Sequence, residues 1–156
     1  MKKSRASLQF RIIIFTLTIF MICFAFFHSS MPSDLSADES ESVTNFLQSI
    51  INALGIDSHL TDHIVRKSAH FAEYTAIGGL LISCAYSFNR KRPYVYSFQV
   101  LFTGLATAVC DEAIQLNVIG RSGQITDVLI DFSGVLAGAL VMLIIYTLYR
   151  KIKKIV

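Results

Sequence analysis

Four apolar runs, Phe10 to Phe27, Ala69 to Phe88, Tyr94 to Leu116 and Ile125 to Tyr149, constrain this chain more than any other feature. Each can cross a hydrocarbon core as a helix, which takes about 20 residues. In lipid every backbone polar group must be satisfied internally, so only helices and closed barrels span a membrane. The runs are continuous rather than alternating and lie too far apart for barrel hairpins, which leaves helices. Composition agrees: 53% of the 156 residues are hydrophobic and 16% charged, where soluble domains have roughly 45–50% and about a quarter. The mean hydropathy is +0.55. The expected fold is all-α: a polytopic membrane protein, a bundle of four transmembrane helices with an outer-surface amphipathic helix.

The first run follows Lys2, Lys3, Arg5 and Arg11, as a secretory signal does, but its exit reads Phe26-Phe27-His28-Ser29-Ser30-Met31-Pro32 without an Ala-x-Ala cleavage site. An uncleaved anchor is the better reading. Orientation follows the lysines and arginines of short loops. They gather at the N-terminus, at Arg90, Lys91 and Arg92, and at Arg150, Lys151, Lys153 and Lys154, whereas the alternate connections hold only Arg66, Lys67 and Arg121. Both termini are thus expected in the cytoplasm. The net charge of +3 reflects this topology and gives no ground for a nucleic-acid partner.

The chain divides accordingly into an N-terminal span (1–31), an extracytoplasmic loop with an amphipathic helix (32–65), a three-helix region (66–149) and a basic cytoplasmic tail (150–156). Pro32 to Glu41, acidic and serine-rich, reads as a solvated loop. Beyond it Val43, Phe46, Leu47, Ile50, Ile51 and Leu54 recur at helical spacing, with Gly55 as the stop. Such a helix lies on the outer membrane surface or packs on its neighbours. Asp57 to Lys67 should extend the second transmembrane helix outward, with His59 and His63, and Asp62 and Arg66, each one turn apart. That spacing alone is weak, and none of these four is assigned to a site. Cys23, Cys84 and Cys110 all sit inside apolar runs, so no disulfide framework is expected.

Ionisable groups inside membrane spans are costly and mark functional sites by default. With the expected topology, the second span begins at the outer face, the third ends there and the fourth begins there. His70 and Glu73, Asp111, Glu112 and Gln115, and Asp127 and Asp131 therefore fall in one leaflet. Lys67, His70, Glu73 and Tyr74 share a side of the second helix, while Asp111 and Gln115, and Asp127 and Asp131, are each one turn apart. Glu112 points about 100° away from Asp111. Gly134 and Gly138 continue the Asp127 and Asp131 stripe as a small-xxx-small pair, which lets another helix approach closely.

Arg66-Lys67-Ser68-Ala69-His70-Phe71-Ala72-Glu73-Tyr74, Asp111-Glu112 with Gln115, Gly120-Arg121, and Asp127 to Asp131 followed by Gly134 and Gly138 together resemble the VanZ-like family of small bacterial membrane proteins. The likeness runs from about Arg66 to Tyr149. Many relatives carry a histidine where this chain has Ile114 and a proline where it has Ile119, so no role of that histidine transfers. The family takes its name from a protein associated with resistance to the lipoglycopeptide teicoplanin. The resemblance implies a cell-envelope role in a bacterial plasma membrane.

The carboxylates outnumber Lys67, Arg121 and His70, and unpaired buried carboxylates must be protonated, salt-bridged or metal-bound. The reading preferred is a site that recognises an envelope lipid or a lipoglycopeptide, with Lys67, His70, Tyr74, Gln115 and Arg121 as ligand-binding residues and membrane lipids as partners. The alternative is an intramembrane enzyme using His70, Glu73, Asp111, Glu112, Asp127 or Asp131 for acid–base or metal-assisted chemistry on a phosphate-bearing substrate. A third reading has the charges pair only to hold the helices in register. No Gly-x-Ser-x-Gly or His-Glu-x-x-His is present, and no cofactor, metal or oligomeric state follows from the sequence.

Overall fold

A computed structural model describes residues 5–53, 59–121 and 123–152, with backbone alone for 33–40. The described residues are helical without a strand: α1 (Leu8–Ser29), α2 (Ser33–Ala53), α3 (Asp62–Phe88), a 3₁₀ turn (Pro93–Tyr96), α4 (Ser97–Gln115) and α5 (Ile125–Ile152). The Ser7 hydroxyl caps α1 by accepting from the Phe10 amide at 3.2 Å. Thr61 does the same for α3 through Ile64 at 3.3 Å. Both satisfy an amide that the first helical turn leaves without a partner.

Among the described residues, three helices are long and apolar enough to cross a membrane: Leu8–Ser29, Pro93–Gln115 and Ile125–Ile152. The expected second span, Ala69 to Phe88, is not among them. Its helix is diluted by Lys67, His70, Glu73, Gly78, Gly79 and several hydroxyl residues. The packing explains why it can be: α3 is the central element, touching α1, α2, α4 and α5, and α5 most extensively. A helix enclosed by other helices meets little lipid and does not need an apolar surface all round.

The α3–α5 contact depends on missing side chains. A Cβ on Gly138 would collide with the Thr75 carbonyl, one on Gly78 with the Val135 carbonyl, and one on Gly134 would stand 2.6 Å from the Phe71 carbonyl oxygen. The backbones therefore touch, as the Gly134 and Gly138 spacing predicts. Tyr74, Ile77, Ala108 and Val135 fill the centre, fully buried. The large apolar side chains point outward, among them Phe98, Phe102, Leu140 and Ile145. An exterior this apolar suits lipid as solvent.

Two expectations are corrected at the first connection. Pro32 to Glu41 is not a loop, since α2 starts at Ser33. Nor does helix extend over all of the stretch from Asp57 to Lys67: Thr61 caps α3 and helix begins at Asp62, so His59 is off the helix and does not stand one turn from His63, while Asp57 lies outside the described residues. Gly55 and Leu54 lie outside the described residues. α2 packs on α3, yet Val43, Phe46, Leu47 and Ile50 stay exposed, so no described residue covers its apolar face.

Candidate functional site

The polar residues of α1, α3, α4 and α5 meet at one end of the bundle. The α4 helix ends there, α3 and α5 begin there, and α1 arrives with its C-terminus, so four helix ends supply side chains to a common volume. Asp111 is fully buried and Asp131 is 1% exposed. His70 lies between them, its Nδ1 4.0 Å from Asp111 Oδ2 and 3.8 Å from Asp131 Oδ1.

Each acid has its own environment. The Ser29 hydroxyl donates to Asp111 Oδ2 at 2.7 Å, and the Gln115 amide donates to that same oxygen at 3.2 Å and to Ser29 Oγ at 3.2 Å. Glu112 turns away, as its angular offset predicts, and its Oε1 accepts from the Gln124 amide. Asp127 takes the Lys67 ammonium at 2.8 Å. Glu73 Oε1 lies 3.3 Å from His28 Nδ1, and the His28 ring stacks on His70 with centroids 5.9 Å apart. The second oxygens of Glu73, Asp111, Glu112 and Asp131 are buried without a hydrogen-bond partner among the described residues.

Beside this cluster opens a cavity of about 120 Å³, lined by Arg66, Lys67, His70, Gln115, Arg121, Asp131 and their neighbours. Gly120 adopts a positive φ of 79°, a left-handed conformation that glycine takes without strain, and the chain turns there to bring Arg121 to the cavity. Burial pushes the Arg121 guanidinium below its ordinary value, the nearby charge of Arg66 lowers it further, and Asp111 and Glu112 act in the opposite direction. The group stays charged, because an arginine titrates far above neutrality. Arg121 Nη2 reaches the His28 carbonyl at 3.5 Å, while neither Arg121 nor Arg66 has a carboxylate within ion-pair distance among the described residues. Two guanidinium groups and Lys67, the last paired with Asp127, thus give the cavity a cationic lining beside Asp131.

Of the residues expected at the site, Lys67, His70, Gln115, Arg121, Asp127 and Asp131 line the cavity. Asp111 touches His70 from a fully buried position. Glu73 and Glu112 flank it through His28 and Gln124. Tyr74 does not line it: the ring is in the core, with its hydroxyl 3.4 Å from the Thr107 carbonyl. The sequence reading missed His28 and Ser29 of α1, and it left Arg66 and His63 without a role although both line the cavity. The signal for α1 was available, since a helix entering from the basic side must end at the same face as the acids.

The bundle and its buried polar cluster define a helical membrane protein whose buried carboxylates are gathered at one end. A model of the VanZ/LLP1 family matches residues 14–146, and the chain belongs to that family. The match begins inside α1, well before Arg66, and so takes in the helix that supplies His28 and Ser29. No curated protein and no solved structure matches the chain.

Proposed function

We propose that this VanZ/LLP1 protein is a multi-pass component of the bacterial plasma membrane that recognises the anionic headgroup of an envelope lipid and through it influences lipoglycopeptide susceptibility. In this reading α1, α3, α4 and α5 all cross the bilayer, both termini are cytoplasmic, and α2 lies on the outer surface with Phe46 and Ile50 in the interface. Enclosure of α3 by its neighbours supports its crossing despite modest hydropathy. The contact of Ser29 with Asp111 supports α1 as a permanent member of the bundle.

The observation that carries the reading is the join between two surfaces. The cavity with its cationic lining shares His63, Lys67 and Ile130 with a shallow groove that continues between α3 and α5 past Ile64 and Phe71. A phosphate-bearing headgroup fits the first and an acyl or prenyl chain the second. Arg121 can hold two phosphate oxygens at once through its planar fork.

The test is lipid retention by the full-length protein in nanodiscs of neutral lipid doped with a polyprenyl phosphate or with phosphatidylglycerol. Wild type should retain a phosphate-bearing lipid over the neutral one. Arg121→Ala should weaken retention about tenfold, equivalent to about 1.4 kcal/mol, and Arg121→Lys should recover part of it. Equal retention of neutral and anionic lipid, or an unchanged Arg121→Ala, would refute it.

A further inference from the structure

We infer that His70, Asp111 and Asp131 form a binding site for one divalent transition ion, at the inner wall of the cavity. One ligand atom from each lies within 4.8 Å of the others. Tetrahedral coordination at about 2.1 Å separates neighbouring ligands by about 3.4 Å, so small side-chain rotations close the three onto a common centre. An imidazole with two carboxylates is a donor set that suits Zn²⁺ or Mn²⁺ rather than Ca²⁺, which prefers oxygen alone.

Two independent observations point to an occupant. Asp111 Oδ1 and Asp131 Oδ2 are buried without hydrogen-bond partners among the described residues, on side chains 0% and 1% exposed. Among the described residues, no lysine or arginine lies within ion-pair distance of either carboxylate, and His70 is the one basic group beside both. Two carboxylates thus lie within 4.8 Å of each other and of His70, and a dication would neutralise both at once.

The surroundings are those of a supported metal site. Ser29 and Gln115 both bond to Asp111 Oδ2 and fix that carboxylate, and the stacked His28 ring, itself beside Glu73, limits rotation of His70. Outer contacts of this kind orient metal ligands and tune their basicity. His70 and Asp131 line the cavity, which leaves the remaining coordination positions facing it.

The experiment uses full-length protein in detergent, stripped by chelator and then dialysed against Mn²⁺ or Zn²⁺ alone. One ion per chain is expected, with a raised melting temperature. In protein labelled with ¹⁵N-histidine, bound Mn²⁺ should show coupling to a histidine nitrogen. Asp131→Asn should lose the ion and the shift, while its metal-free melting temperature stays at or above that of wild type because a buried like charge has gone. His70→Gln should lose the nitrogen coupling. Arg121→Ala should still bind one ion, which separates failure of this site from failure of the lipid reading. Binding well below one ion per chain, equal binding by Asp131→Asn, or Mn²⁺ without nitrogen coupling would overturn the inference and leave a proton shared by the two carboxylates as what the site holds.

Discussion

The two ends of the bundle handle charge in opposite ways. At the basic end, Arg11 lies 4.8 Å from the centroid of the Phe88 ring and Arg90 5.7 Å from that of Tyr86. Tyr86 stacks on Tyr146 with centroids 3.9 Å apart, and the Tyr146 hydroxyl donates to Ser83 at 2.9 Å. Cations on aromatic faces keep contact with water and contribute about 0.5–1 kcal/mol each. At the acidic end, Asp111 and Asp131 are taken out of water beside a single histidine, an arrangement whose desolvation costs several kcal/mol per ion. One end rests its cations on aromatic rings, and the other buries carboxylate oxygens that have no hydrogen-bond partner among the described residues.

The comparison breaks outright if both ends face the same compartment. In a cysteine-free background, a cysteine at Ser36 should react with an impermeant thiol reagent on intact cells and one at Asn89 should not. Reaction at Asn89 alone would move the carboxylates to the cytoplasmic side.

The next largest effect is on the docking that holds the ends apart. Gly138→Val places side-chain atoms on the Thr75 backbone, and overpacking of this kind should cost about 3 kcal/mol or more. Detergent unfolding should then show loss at both ends together. A stable Gly138→Val would mean that α3 and α5 can separate without consequence.

Two hydroxyl deletions sharpen the contrast. Ser29→Ala removes a donor to a buried carboxylate and should destabilise by about 2 kcal/mol, as bonds to charged groups do. Tyr146→Phe removes a neutral bond at the other end and should cost about 1 kcal/mol or less. Equal melting shifts would show that Asp111 carries no charge in the folded protein.

Much of the site was legible because membrane topology is periodic. Once the spans alternate, residues at the end of one and the start of the next must share a leaflet. One-turn spacing then selects Asp111 with Gln115, and Asp127 with Asp131. The residues of α1 were not legible in this way: its run is apolar throughout, and His28 and Ser29 look like ordinary exit residues until Asp111 is placed beside them. Arg66 was lost to a local argument, the one-turn spacing from Asp62, although its distant neighbours decide its role. Tyr74 erred in the other direction, since a residue one turn from His70 also faces the core. The α3 helix falls short of the hydropathy of a membrane span because Lys67, His70, Glu73 and its hydroxyl residues dilute it, while the other helices pack around it.

The bond between Ser29 and Asp111 joins residues 82 positions apart, and this has a consequence for the order of assembly. A chain is inserted from its N-terminus, so the first helix is in the bilayer before the aspartate has been made. Ser29 and His28 wait at the membrane boundary, and when α4 arrives its carboxylate meets a donor already in place. If insertion follows that order, a fully buried carboxylate enters with a protein donor beside it, and lipid does not have to solvate it alone.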